Sequence, residues 1–232
     1  MRCIVIADAH AQPWLITNAL EHSQYDKDKD RLVFAGDWQD IGNQPDECLN
    51  ILEENKAEML WGNHEVSVLL RKPVTPQSAV SWDYHFFFQK LVRDPAQPWK
   101  VATAHQGVLI THAGVSQVYH RALYGYEEMG ADYVADYFNK RFELILDVRE
   151  MELDFWASDS PLWFRPGLMQ PLPGIAQVAG HTPAEMLPKD ENYYSVDPYT
   201  KDKFDGDRFR YAIIQDGEVQ VHDSNEEEVQ HG

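Results

Sequence analysis

An α/β fold with parallel strands is predicted by three features of this sequence. Residues 1–65 alternate short apolar runs with amphipathic stretches in the order strand, helix, strand, helix, strand, which is the signature of βαβ units. The apolar runs stop repeatedly at glycine or alanine and are followed by Asp, Asn or His, as suits a site at the carboxyl edge of a sheet. A length of 232 residues with 44% hydrophobic content is enough to bury one large core.

Residues 2–7 read as the first strand, followed by the loop Asp8-Ala9-His10-Ala11-Gln12. Pro13 suits the first turn of a helix, in which Trp14, Leu15, Ala19 and Leu20 share one face. After a charged turn (Asp26 to Arg31), Leu32 to Ala35 is a buried strand that delivers Gly36-Asp37-Trp38-Gln39-Asp40-Ile41-Gly42. Pro45 opens a second helix, with Cys48, Leu49 and Leu52 at helical spacing. Ala57 to Leu60 is a third strand, ending in Trp61-Gly62-Asn63-His64-Glu65.

Pro73 opens an aromatic insertion that runs to about Trp99 and is expected to be partly helical, covering the site or the core. A hairpin follows, from Trp99 to Ala104 and from Val108 to Thr111, turning at His105-Gln106-Gly107 and ending at His112-Ala113-Gly114. Residues 116–149 read as largely helical and Glu150 to Pro173 as irregular. Ile175 to Ala179 is a strand ending at Gly180-His181-Thr182-Pro183. Tyr193 to Val196 and a hairpin turning at Asp216-Gly217 finish the sheet. One domain over 1–222 is expected, with an acidic, frayed tail at 223–232.

The charge is −18, from 38 acidic and 20 basic residues. Such a surface repels nucleic acid and anionic membranes, so neither is an expected partner. An anionic substrate stays open, because bound divalent cations invert the local field. With Cys3 and Cys48 the only cysteines, a disulfide framework and a Cys-rich zinc site are both excluded, and the two read as small reduced hydrophobes. The N-terminus lacks a basic leader, and no run approaches the roughly 20 apolar residues of a membrane span; a cytoplasmic protein is expected.

Five apolar strands end in groups able to bind metal: Asp8/His10, Asp37/Asp40, Asn63/His64, His112 and His181. Each alone reads as an ordinary turn or cap. All five at the same structural position point to a metal site.

These motifs resemble the calcineurin-like metallophosphoesterase family, in the family's order and from Asp8 through at least Asp197. Asp8-Ala9-His10 matches its Asp-x-His, Gly36-Asp37-Trp38-Gln39-Asp40 its Gly-Asp-x-x-Asp, and Gly62-Asn63-His64-Glu65 its Gly-Asn-His-Glu. Thr111-His112-Ala113-Gly114 and Gly180-His181-Thr182-Pro183 match its later histidine motifs. The Asn-His-Glu and Gly-His-Thr-Pro forms are most similar to the phosphoprotein Ser/Thr phosphatase branch and its bacterial relatives. The resemblance implies a four-layer α/β/β/α sandwich of two mixed sheets flanked by helices. It implies metal-dependent hydrolysis of a phosphoester, a phosphomonoester foremost.

Carried over by position, Asp8, His10 and Asp37 hold a first metal, and Asp37 bridges to a second held by Asn63, His112 and His181. Oxygen and imidazole ligands without thiolate suit manganese, iron or zinc, and manganese is favoured. Two such ions about 3.5–4 Å apart share a water, lower its pKa and aim it at phosphorus. His64 is expected to protonate the leaving group, oriented by Asp40.

The chain departs from the phosphatase branch in having Ile41 and Trp61 where that branch carries arginines that grip phosphate. Arg165, just ahead of the Gly-His strand, is the best substitute. Trp38, Trp61 and Trp163 either line the pocket or pack in the core. Asp197 is a candidate to orient a ligand histidine, and Glu65 to support its loop or cap a helix. The remaining histidines, His22, His85, His105, His120, His222 and His231, have no such context. The substrate is expected to be a phosphorylated protein side chain, a dinucleoside polyphosphate or a small phosphometabolite. A nuclease is opposed by the charge. A non-catalytic interaction module on the same fold is the remaining rival, and the filled ligand positions speak against it.

Overall fold

The computed structural model describes residues 1–94, 99–118, 126–148, 155–187, 192–199 and 208–224. In chain order they form β1 (Cys3–Ile6), α1 (Pro13–His22), β2 (Arg31–Phe34), α2 (Pro45–Glu54), β3 (Glu58–Met59), α3 (Asn63–Leu70) and α4 (His85–Leu91). Then come β4 (Ala102–His105), β5 (Val108–Thr111), α5 (Tyr126–Val148, broken at Gly130), β6 (Gln177–Ala179), β7 (Tyr193–Ser195), β8 (Arg210–Gln215) and β9 (Glu218–Asp223).

Two mixed sheets result. The first has the order β3-β2-β1-β8-β9, with β1, β2 and β3 parallel and β8 and β9 antiparallel to their neighbours. The second has the order β4-β5-β6-β7, with β5, β6 and β7 parallel and β4 antiparallel. Strand alternation sorts the side chains into layers. Cys3, Val5, Ala7, Val33, Ala35 and Ala212 meet Val108, Ile110, Val178 and Val196 in a core between the sheets. Their even-numbered neighbours Ile4, Ile6, Leu32 and Phe34 join the cluster that holds Ile16 and Ala19 of α1 and Cys48 and Leu52 of α2. On the other side, α5 packs against β4 and β5. Strands buried on both faces explain why the sequence shows continuous apolar runs rather than alternation. The α/β/β/α sandwich is therefore the observed fold.

At the pole where β2 begins, Arg31 ties the sheets together. Its Nη2 donates to Glu58 Oε2 and Thr103 Oγ1, each at 2.6 Å, and Nη1 donates to the Ala104 carbonyl at 2.7 Å. The turns of both hairpins lie at this pole, and Gly217 N donates to Gln106 Oε1 at 3.4 Å.

Strand ends differ by one to three residues from those expected, and at two of them the cause is visible. The strand expected from Trp99 begins at Ala102, because the Trp61 indole takes the Trp99 carbonyl at 3.2 Å and Lys100 forms only an isolated bridge to Leu60. The last strand runs on to Asp223, which is buried and receives Arg208 and Arg210. His120, His231, the expected helical stretch at 119–125, residues 150–154 and the acidic tail after Ser224 lie outside the described residues. Among the described residues, no helix is long and apolar enough to cross a membrane.

Phe138, fully buried on α5, tests the outer layer. Phe138→Ala is expected to lower stability by about 3–5 kcal/mol, read as a lower urea midpoint at unchanged slope.

Candidate functional site

The carboxyl ends of β1, β2, β3, β5 and β6 converge on one edge of the sandwich, and every one of the five polar groups lies there. Asp8, His10, Asp37, Asp40, Asn63, His64, His112 and His181 are all buried. Backbone bonds stitch the strand ends together: Asp8 N to Gly36 O (3.0 Å), His10 N to Asp37 O (2.9 Å) and Gly180 N to His112 O (2.7 Å). Asp8, His10, Asp37, Asp40 and His181 all have positive φ, between 44° and 80°. A left-handed residue other than glycine costs roughly 1–2 kcal/mol. The fold accepts that strain at five positions, which is characteristic of functional sites.

Two glycines make the convergence possible. Gly36 has φ +89°, and a Cβ on it would lie 2.6 Å from the Gly62 backbone. A Cβ on Gly180 would lie 1.9 Å from Asp8 Oδ2. That oxygen instead accepts the His181 amide at 2.9 Å, across the gap between the sheets.

Asp37 is central. Its Oδ2 lies 3.5 Å from His112 Nε2, 3.7 Å from His10 Nε2 and 3.8 Å from His64 Nε2, and its Oδ1 accepts the His64 amide at 3.0 Å. Burial opposes its ionisation, but His112, His64 and His10 outweigh burial and hold its carboxyl below the ordinary value. Glu65 holds this arrangement from beneath. Its Oε2 accepts Asp37 N and Gly62 N, both at 2.9 Å, and its Oε1 accepts Trp38 N at 3.1 Å. It thus caps the first turn of α3 at the Gly62 amide and clamps the β2 loop at once. Burial, with Asp37 adding, pushes its own carboxyl up to about 8.

The donor chemistry fits a divalent metal. His112 Nδ1 lies 2.8 Å from the Ala35 carbonyl and Nε2 lies 2.7 Å from Asn63 Oδ1. Burial lowers the His112 pKa, so the ring is neutral and has one N–H for two oxygens. With Nδ1–H on Ala35, the Nε2 lone pair faces oxygens of Asn63 and Asp37, an arrangement a cation satisfies. Nδ1 of His10 and Nε2 of His181 are buried without a hydrogen-bond partner. Burial and His64 lower the His10 pKa to about 4, leaving a neutral ligand-type imidazole. Two sets of groups, His10/Asp37/His64 and Asp8/Asp37/His112, bring their ligand atoms within 4.8 Å of one another. His181 stands edge-on to His112, with ring centroids 5.1 Å apart.

His64 is set apart from the ligand-type histidines. Its Nδ1 lies 2.7 Å from Asp40 Oδ2. Burial works against its charge, yet Asp37 and Asp40 raise its pKa. Nδ1–H therefore donates to Asp40, and Nε2 can carry a proton into the pocket. Arg165 is brought in from the irregular stretch ahead of β6: its Nη1 donates to the His181 carbonyl at 3.0 Å. The three tryptophans divide. Trp38 and Trp61 are core residues packed on Phe88, and Trp163 stands 5.6 Å from the His181 ring. Asp197, buried at the same edge, makes no hydrogen bond to a histidine among the described residues. It accepts Tyr199 N at 2.9 Å, while the orientation of His112 is fixed by Ala35. Burial pushes the Asp197 carboxyl up to about 7.

Sequence reasoning missed Tyr199, whose ring lies 5.2 Å from His10 and whose hydroxyl accepts Gln12 Nε2 at 2.8 Å. The available signal was its place two residues past a strand-end aspartate. A cleft of about 730 Å³ between Leu49, Met59, Phe87 and Trp99 contains none of the site residues.

Comparison with known proteins agrees with this geometry. The profile of the calcineurin-like phosphoesterase family matches residues 1–221. The chain belongs to this family. Its members are phosphoester hydrolases, and the buried Asp and His groups are of the kind that hold divalent metal. Among solved structures, the calcineurin-like chain is similar to a cold-active protein tyrosine phosphatase (16% identity, TM-score 0.64, covering 95% of this chain and 78% of that one). It is similar to a protein serine/threonine phosphatase from Saccharomyces cerevisiae (17%, 0.58, 96% and 79%). A putative diadenosine tetraphosphatase is also similar (17%, 0.53, 96% and 93%). At these identities the likeness is one of fold. A search of curated proteins returns no match.

In this calcineurin-like phosphoesterase the Glu65 clamp has a measurable weight. Glu65→Ala strands three buried N–H donors, each worth about 1–3 kcal/mol when unsatisfied. Unfolding in chelator is expected to show a loss of at least about 3 kcal/mol. A loss below 1 kcal/mol, on the order of a surface change, would mean the clamp is not formed.

Proposed function

We propose that this protein hydrolyses phosphomonoesters with two divalent ions, manganese favoured, held by Asp8, His10 and Asp37 on one side and Asn63, His112 and His181 on the other, with Asp37 shared. The observation that carries the reading is the Asp37 carboxylate, faced by His112 and His10 at 3.5 and 3.7 Å, next to a separate His64–Asp40 pair. Bound ions supply positive charge for the phosphoryl oxygens and an acidified water as nucleophile.

The chain's own residues do the rest. Arg165 meets a phosphoryl oxygen from the side of β6, taking the place of the arginines absent at Ile41 and Trp61. His64, charged and held by Asp40, delivers the proton from Nε2 to the ester oxygen as the P–O bond breaks; the incoming water supplies the new P–O bond. The alcohol leaves neutral and His64 is reprotonated from solvent.

A phosphorylated protein side chain is one candidate substrate. A dinucleoside polyphosphate or another ring-bearing phosphometabolite is a second, favoured by Trp163 at the rim beside His181 and by the missing arginines.

The test is a panel of alkyl and nitrophenyl phosphates, phosphopeptides, phosphodiesters and dinucleoside polyphosphates with chelated and Mn²⁺-loaded protein. Hydrolysis should vanish on chelation and return with Mn²⁺; full activity without metal would sink the reading. His64→Asn is expected to cut kcat on alkyl phosphates by about 10²–10⁴-fold, and much less on nitrophenyl phosphate, whose leaving group departs as an anion. A ratio that stays flat as leaving-group pKa rises would remove the acid assignment.

Arg165→Ala should reduce kcat/KM by about 1.5–3 kcal/mol, the range for a charged hydrogen bond. Unchanged kinetics would return Arg165 to a purely structural contact with His181.

A further inference from the structure

We infer that the chain segment from Lys72 to Leu91 is part of the proton-delivery apparatus, with the Ser78 backbone amide acting as a positioning group for Asp40. The inference rests on the reading of His64 as the acid.

The His64–Asp40 pair joins two separate segments, the first turn of α3 and the loop after β2. Asp40 Oδ2 accepts His64 Nδ1 at 2.7 Å. Its other oxygen, Oδ1, accepts two amides: that of Ile41 at 2.8 Å and, by a short bond, that of Ser78. The Ile41 amide is adjacent in sequence and moves with Asp40. The Ser78 amide is 38 residues away, so it fixes the carboxylate relative to the rest of the fold. A carboxylate held at one oxygen alone swings about its Cβ–Cγ bond; held at both, it keeps Oδ2 on the imidazole.

The segment is anchored where it needs to be. Ser67, buried on α3 one turn past His64, donates its hydroxyl to the Lys72 carbonyl at 2.7 Å and accepts Gln77 Nε2 at 2.8 Å. Lys72 N returns to the Ser67 carbonyl at 2.9 Å, and Gln77 Oε1 accepts Val74 N at 3.3 Å. Past Ser78, the Tyr84 hydroxyl donates to Asp46 Oδ1 at 2.6 Å and its ring meets Trp38 edge-on at 5.2 Å. The strap therefore leaves the helix that bears the acid, touches the loop that bears its orienting carboxylate at Ser78, and goes on to reach α2 through Asp46. It closes a ring through Ser67, Gln77, Ser78, Asp40 and His64.

The backbone at Ser78 permits a clean test. Its φ of −78° and ψ of 144° are values proline adopts, so Ser78→Pro deletes the N–H while keeping the chain path. Ser78→Ala keeps the N–H and removes only the hydroxyl that accepts Val80 N at 3.3 Å. Both are compared with wild type, Mn²⁺-loaded, on an alkyl phosphate and on nitrophenyl phosphate. Ser78→Pro is expected to slow the alkyl ester about tenfold, the order of one hydrogen bond to a charged group. It should slow the nitrophenyl ester less than about twofold, with unchanged metal content, because that leaving group needs little protonation. Ser78→Ala should match wild type on both.

Equal slowing of both esters, or wild-type kinetics in Ser78→Pro, overturns the inference. A flat leaving-group ratio already in His64→Asn removes the acid reading and this one with it. A steep ratio there with a flat one in Ser78→Pro removes this one alone. Should Ser78→Pro fail to fold, amide exchange on zinc-loaded wild type decides. A protected Ser78 amide that becomes exchangeable in Asp40→Ala supports the inference, and an unprotected one in wild type overturns it.

Discussion

Five carboxyl groups, Asp8, Asp37, Asp40, Glu65 and Asp197, are buried at one edge of this sandwich, none more than 4% exposed. Placing like charges together out of water is the constraint the rest of the site answers. Three answers are visible. Backbone amides converge on Glu65 and Asp8, three imidazoles face Asp37, and the backbone at five residues past the ends of β1, β2 and β6 turns left-handed to aim these groups inward. The outcome is uneven. Burial, with Asp197 and Asp37 adding, pushes Asp8 well up, whereas Asp37 is held down. Two carboxyls with opposed proton affinities in one dry pocket form a place where a bound divalent cation would resolve the conflict, replacing the proton on one and keeping the other charged.

Much of this was legible in the sequence, for identifiable reasons. β1 and β2 are buried on both faces, so they announce themselves as unbroken apolar runs, and the polar residue ending each run is conspicuous. The βαβ spacing then makes β1, β2 and β3 parallel, and parallel strands bring their carboxyl ends to one edge. The placement of Asp8, Asp37, Asn63, His112 and His181 at that edge follows from topology alone. Less legible were contacts between segments distant in sequence. The Asp40 carboxylate looks like a turn former, and nothing local says that a backbone amide 38 residues on will reach it. The strand boundary at Trp99 failed for a similar reason: the Trp61 indole captures a carbonyl that a ladder would have used. After Asp197 the turn folds back so that the Tyr199 amide reaches its carboxylate, a contact the strand pattern before it does not announce.

The two positions that lack arginine have different structural fates. Trp61 is built into the aromatic cluster with Phe88, Trp99 and Phe142, so a charged side chain there would disrupt the core. Ile41 sits with positive φ in the loop beside the amide that caps Asp40. Arg165, in the irregular stretch ahead of β6, is tied to the backbone of His181 rather than to the β2 loop. Its guanidinium is thereby mechanically coupled to the end of β6.

The two hairpin turns at Gln106-Gly107 and Asp216-Gly217 meet at the pole farthest from the buried carboxyls, where β5 begins and β8 ends. For anyone wishing to graft a reporter, an affinity handle or a second module onto this scaffold, that pole is the address. Chain added there extends strands at their distal ends, leaves the parity of every residue between turn and pocket unaltered, and keeps the grafted mass a full strand length from the chemistry.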